Sequence, residues 1–198
     1  MNELKKWILF GLAIVLSLVS CFYLQQRYTR LMNVGYEYQW PVTLERKVSW
    51  IPTDYLEVKF IGSHTLWTGA KPPELNQEIY VILTPRKDGI LMVHSATPDK
   101  PQEDNVYIAA NVVKYDNEIV EFSIPFNRVH VNVNQVNPKF YENYKGVLIA
   151  TMKIKDGIGI ITGVYSKGVF IESAEPESIT EQEKQAQELL SLQKNFEK

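Results

Sequence analysis

The sequence predicts an all-β domain, barrel-like or a sandwich, carried on a single N-terminal transmembrane helix and followed by a C-terminal helix. Three observations predict it. The run from Trp7 to Leu24 is apolar without a break. Beyond Gly35, apolar residues recur at every second position in short runs, separated by turn pairs such as Asp88-Gly89, Asp156-Gly157 and Lys167-Gly168. From Ser178 the chain becomes polar and its few apolar residues take a helical spacing. The expected organisation is an anchor and stalk over 1–30, a β-rich domain over 31–175 and a helical tail over 176–198.

The anchor follows from the solvent it must enter. Backbone dipoles in hydrocarbon have to be satisfied within the segment, which requires a helix, and about 20 residues suffice to cross. Residues 7–24 meet that need, with Trp7 and Tyr23 near the two ends, where amphipathic aromatics favour the interface. The lipid bilayer is therefore the first expected partner. Lys5 and Lys6 precede the span, and Arg27 and Arg30 follow it, so the positive-inside bias is nearly balanced. A six-residue leading tail favours an N-terminus that stays inside. The expected location is the inner (cytoplasmic) membrane, single-pass, with the domain on the periplasmic side. Leu18-Val19-Ser20-Cys21 also fits the pattern that precedes a lipidated cysteine, so a structural lipoprotein is an alternative reading.

Composition narrows the function classes. A formal net charge of −2 supplies no basic stripe for nucleic acid. Cys21 is the one cysteine, so no disulfide can form within the chain, and His64, His94 and His130 lack the spacing of a metal site. No cofactor is expected. Gly157, Gly159 and Gly163 resemble a phosphate loop only superficially, because no helix follows them.

Along the domain, Tyr36, Tyr38 and Trp40 alternate with polar residues, and Pro41 marks an edge or a break. Leu56, Val58 and Phe60 form a second strand with one wet face, and a loop is expected over 62–76. Asp88-Gly89 predicts a hairpin with a primed turn, and a second hairpin turns at Asp116-Asn117. Val129, Val131 and Val133 then point one way and Arg128, His130, Asn132 and Asn134 the other. Asn137 and Pro138 suit the cap and first position of a single helical turn. Three strands close the domain, for eight to ten in all. In the tail, Ser178 and Glu181 have capping-box spacing before an apolar stripe of Ala186, Leu189, Leu190 and Phe196. That helix is either solvated or a docking element for a partner.

The stretch Ser49-Trp50-Ile51-Pro52-Thr53-Asp54-Tyr55-Leu56-Glu57-Val58-Lys59-Phe60 carries two resemblances. Residues 53–60 resemble the signature of the GDYXXLXY family of membrane-anchored bacterial envelope proteins, with Asp54 and Tyr55 as they stand, and Thr53, Val58 and Phe60 in place of Gly, Leu and Tyr. The likeness extends over most of 1–171, through the anchor, the polar strand near Arg128 and the closing Gly-turn strands. It implies an exported domain without an assigned activity, working beside polytopic membrane proteins. It also implies an acidic residue after the polar strand, for which Glu142 is nearest. Residues 49–53 are similar to the Ser-Met-x-Pro-Thr box of type I signal peptidases. That likeness implies Ser49 as nucleophile with a desolvated lysine as its base, Lys87 being the candidate. Lys87 lies in what reads as an exposed turn, which predicts that it is far from Ser49.

The expected function is a membrane-anchored envelope binding or accessory protein, not an enzyme, with the Ser/Lys membrane peptidase and the structural lipoprotein as alternatives. The expected contact surface is Asp54, Tyr55, Arg128, His130, Asn132 and Asn134, with no catalytic and no metal-binding residues. By alternation Asp54 shares the apolar face of Leu56, Val58 and Phe60 unless the strand starts after it. A carboxylate there has to be hydrogen-bonded or paired. Arg128 is the expected partner, and Tyr55 should lie on the opposite face with its ring over a neighbouring strand.

Overall fold

The structure, a computed structural model, describes residues 3–45, 54–102, 105–141, 144–177, 181–182, 184–185 and 187–189. It forms two units, 1–35 and 36–198.

The first unit is one helix, α1 (Glu3–Val34), which runs through Cys21 unbroken. Over Trp7–Val34 its hydropathy reaches 2.3, and it is long and apolar enough to cross a membrane. From Trp7 to Leu24 its large apolar side chains are exposed on every face, as suits a helix surrounded by lipid rather than laid on a core. Ser17 and Ser20 donate their hydroxyls to the carbonyls of Ala13 and Leu16, 2.9 Å away in each case, so neither polar group is left bare.

The second unit is antiparallel β, and 45% of the chain is strand. Its strands are β1 (Tyr36–Glu45), β2 (Tyr55–Phe60), β3 (His64–Leu66), β4 (Glu78–Pro85), β5 (Leu91–Thr97) and β6 (Val106–Asp116). Then follow β7 (Ile119–Ser123), β8 (Arg128–His130), β9 (Leu148–Lys155), β10 (Ile158–Ser166) and β11 (Val169–Phe170). Eleven strands among the described residues exceed the eight to ten expected. β3 accounts for part of the difference, since it pairs with β7 inside the stretch read as a loop. One sheet has the order β11-β10-β9-β1-β2-β8 and the other β3-β7-β6-β4-β5. They curve into a half-barrel and a nearly closed barrel. Just after β3, Thr68 donates its N–H to Ala96 of β5 at 2.9 Å, which draws the two ends of the smaller sheet together.

A single apolar cluster fills both curves. Trp40, Val42, Leu56 and Val58 come from the larger sheet, and Val81, Ile108 and Val120 from the smaller. Backbone bonds also join the sheets: Gln39 N–H to Gly89 O at 3.0 Å and Ala109 N–H to Gly157 O at 2.8 Å. Gly159 answers to packing rather than to phosphate, because a Cβ there would strike the ring of Phe126. On β1, burial first and Tyr36 beside it second push the pKa of Tyr38 above the usual phenol value.

Three local expectations need correction. Pro41 does not mark an edge; it sits inside β1, between β9 and β2. Ile61 N–H donates to Pro41 O at 3.0 Å, and the return bond that proline cannot make is replaced by Trp40 Nε1–H to Ile61 O at 2.9 Å. The ladder is therefore satisfied. At Asp88-Gly89 only Gly89 has positive φ (81°), and Gly89 N–H reaches Arg86 O at 3.0 Å. This is a type I turn followed by a left-handed glycine, not a primed turn. The primed turn of the next hairpin falls one residue later than expected, at Asn117 (φ 48°) and Glu118 (φ 66°). Turns fall at Asp156-Gly157 and Lys167-Gly168 as read, and each pair has two positive φ values, as in a primed turn.

The described residues of the tail at 181–189 are helical, and they dock on their own domain. Gln182 is buried, and its Oε1 accepts the N–H of Lys145 at 3.0 Å. Of the expected apolar stripe, Leu189 is described and half-buried; Ala186, Leu190, Phe196 and the capping residue Ser178 lie outside the described residues.

Candidate functional site

The β2–β8 ribbon at one edge of the larger sheet holds most of the residues singled out in the sequence. Its register sets Tyr55 opposite His130, Leu56 opposite Val129 and Glu57 opposite Arg128. Leu56 and Val129 are buried in the core, so by strand alternation the other two pairs share the outer face. Tyr55 and His130 meet edge to face, with centroids 5.6 Å apart and planes at 89°. Tyr55 is 53% exposed, so the pair presents an aromatic edge to solvent.

Arg128 pairs with Glu57, not with Asp54. Its Nε donates to Glu57 Oε1 at 3.0 Å and its Nη2 lies 2.9 Å from the same oxygen. The cause is register: Glu57 stands directly across the ladder. Glu45 of β1 stands opposite Glu57 on the other side, so the row carries two carboxylates and the guanidinium offsets their repulsion. The Glu57 side chain is 10% exposed and that of Arg128 65%, so the guanidinium keeps an outward face. Asp54 lies one residue before β2 begins and is exposed; it heads no apolar face. What anchors it is its carbonyl, which accepts the N–H of Val131 at 3.0 Å.

Asn132 and Asn134 do not continue the polar face of a strand. β8 ends at His130, and Val133–Gln135 is a 3-10 turn for which Asn132 is the cap, its side chain accepting from the N–H of Asn134 at 3.3 Å. The N–H of Asn132 is itself bound by Glu172 Oε1 at 2.6 Å. Asp54, Tyr55, Arg128 and His130 thus gather on one ribbon, while the two asparagines shape the turn that ends it. The helical turn at Pro138–Phe140 is capped by Asn137, as read.

Comparison with protein-family models, with curated proteins and with solved structures finds no match to this chain. The site has to be read from its own geometry.

Two groups of residues escaped sequence reasoning. Glu57 looked like a wet-face charge; that it stands one strand away from an arginine on the same face was the available signal. The other group is the segment after β11. Glu172 binds the N–H of Asn132, Glu175 accepts from Asn137 Nδ2 at 2.9 Å, and Glu177 accepts from Ser166 Oγ at 3.2 Å and from the Tyr144 hydroxyl. These three glutamates, to which sequence reasoning gave no role, stitch the segment to the domain.

Of the peptidase elements, only Lys87 falls among the described residues. Ser49, Trp50 and Thr53 lie outside the described residues, as does Glu142. Lys87 is exposed at the β4–β5 hairpin tip, beside an Arg86–Asp88 ion pair of 2.8 Å. A cavity of about 380 Å³ is lined by Pro85, Arg86, Lys87 and Asp88. A lysine in that setting keeps its hydration and so lacks the desolvation a lysine base requires. Among the described residues no group of three or more His, Cys, Asp and Glu side chains is placed to hold a metal ion.

Proposed function

We propose that the chain is a membrane-anchored envelope protein that binds another protein through the outer face of the β2–β8 ribbon. The observation that carries this reading is the exposed Tyr55–His130 pair beside an arginine whose base is fixed by Glu57. Tyrosine and arginine are enriched among residues that dominate protein interfaces, because a rigid ring and a pre-oriented guanidinium lose little entropy on binding. The apolar helix supports anchoring, and its neighbours in the bilayer would be polytopic membrane proteins. In this reading the β domain lies on the periplasmic side of the inner membrane.

Photo-crosslinking from position 55 of the full chain in its native membrane tests the binding face. The expected outcome is one discrete protein adduct from position 55 that disappears with Arg128→Ala, and none from position 114 on β6 of the other sheet. Equal labelling from both positions refutes the assignment. Protease added to intact spheroplasts should remove the β domain; protection until the membrane is opened would place the domain on the cytoplasmic side instead.

A further inference from the structure

Arg128 meets Glu57 with only one edge of its guanidinium. Nε at 3.0 Å and Nη2 at 2.9 Å both reach the same oxygen, Oε1. Those two nitrogens form the lateral edge of the group, so the contact is side-on. A guanidinium carries five N–H donors in a planar fork. The side-on contact takes one on Nε and one on Nη2, and leaves the terminal edge of Nη1 and Nη2. Among the described residues the guanidinium makes no other hydrogen bond or ion pair, and it is largely exposed. Its terminal edge presents two parallel donors, the shape that matches the two oxygens of a carboxylate. The bond to Glu57 fixes the direction of that edge before any ligand arrives, which lowers the entropy lost on binding.

The surroundings choose among anions. Glu57 balances the charge of Arg128, and Glu45 stands beyond Glu57 in the same row. Lys59, two positions along β2 on the same face, balances Glu45. The neighbourhood therefore has no excess of cations to hold a dianion such as phosphate. What it offers is a forked pair of hydrogen bonds, suited to a planar monoanion. Beside the fork, Tyr55 is the diagonal neighbour of Arg128 across the ladder, and its ring meets that of His130 edge to face. The two rings supply apolar surface next to the donors. Capture of a chain terminus uses backbone N–H groups gathered in a nest. Here the donors sit on a side chain, on the outer face of a ribbon.

We propose that this face recognises an aspartate or glutamate side chain of the partner protein: Arg128 takes the carboxylate end-on, and an apolar neighbour of the acidic residue lies on Tyr55 and His130. The inference rests on the reading of the ribbon as a binding face and adds the chemistry of what it binds.

Blocked dipeptides titrated into the full chain in detergent micelles test it, read by the backbone amide signals of Arg128 and His130. Acetyl-Phe-Asp-amide should shift both signals saturably, and acetyl-Phe-Asn-amide should leave them in place. Arg128→Lys keeps the charge beside Glu57 but lacks the fork, and should weaken the response about tenfold. Equal shifts from the two dipeptides, or an undiminished response in Arg128→Lys, overturn the proposal. So does a stronger response to phenyl phosphate, or to acetyl-Ala-Phe with a free terminal carboxylate, than to the aspartate dipeptide. The titration needs no partner protein, so it fails separately from the crosslink at position 55. An adduct that Arg128→Ala abolishes, with no response to the aspartate dipeptide, keeps the binding face and sinks the carboxylate; a response with no adduct does the reverse.

Discussion

Glu57 and Glu177 both bury their carboxylates, yet they are held by different kinds of structure. Glu57 is met by an arginine directly across the β2–β8 ladder, and that arginine is largely exposed. Glu177 is met by hydroxyls from Ser166 at the end of β10 and from Tyr144 in the loop before β9, with Lys167 at longer range. One is a surface pair with a sheltered acid. The other is a rivet that fixes a crossing segment to two elements at once. Screening by salt and water weakens the first, whereas the second rests on short-range hydrogen bonds that salt hardly touches.

The largest expected effect belongs to the rivet. Glu177→Ala leaves two hydroxyl donors without their acceptor and frees the root of the C-terminal segment. A loss of about 2–3 kcal/mol is expected in urea unfolding, nearly the same in low and high salt. A loss that falls away as salt rises would make Glu177 an ion-pair partner of Lys167 above all, and the contrast between the two glutamates would collapse.

Arg128→Ala should cost less, about 1–2 kcal/mol, because it takes a cation from beside a sheltered carboxylate but gives up a pair that water already weakens. Adding Glu57→Gln to that variant should recover much of the loss, read as a coupling in a double-mutant cycle. Additive losses would mean that the two side chains do not act together. Smallest of the three is Asp54→Ala, expected within about 0.5 kcal/mol of the wild type in the same urea titration, since its side chain is exposed and its bond to Val131 is made by the backbone. A loss above 1 kcal/mol would show that the carboxylate itself caps the start of β2.

This contrast also marks what could be read from sequence. The long apolar helix, the strands around Leu56–Phe60, the closing three strands and the turns at Asp156-Gly157 and Lys167-Gly168 follow from periodicity and turn chemistry, which are local. So does the placement of Tyr55 on the outer face with its ring over a neighbouring strand. β3 escaped because three residues are too few to show a period. The partner of Arg128 differs from the one expected because Asp54 precedes β2 and heads neither of its faces, while Glu57 stands directly across the ladder, a register that alternation alone does not fix. The stitching of Glu172, Glu175 and Glu177 was out of reach altogether, since its donors come from 11 to 40 residues away. Acidic residues in a polar stretch look the same whether solvated or bound.

The exchange of donors at Trp40 and Pro41 sets an order on how this strand can change over generations. While Trp40 is present, Pro41 can be replaced by a residue with its own N–H, and the Ile61 carbonyl simply gains a second donor. The reverse step is costly: with proline in place, losing the indole leaves the half-buried Ile61 carbonyl, at the end of β2, with neither donor. Proline could therefore have arrived only after the tryptophan, and the tryptophan can leave only after the proline has gone. The pair works as a ratchet, and any lineage that keeps Pro41 is bound to keep a donor at position 40.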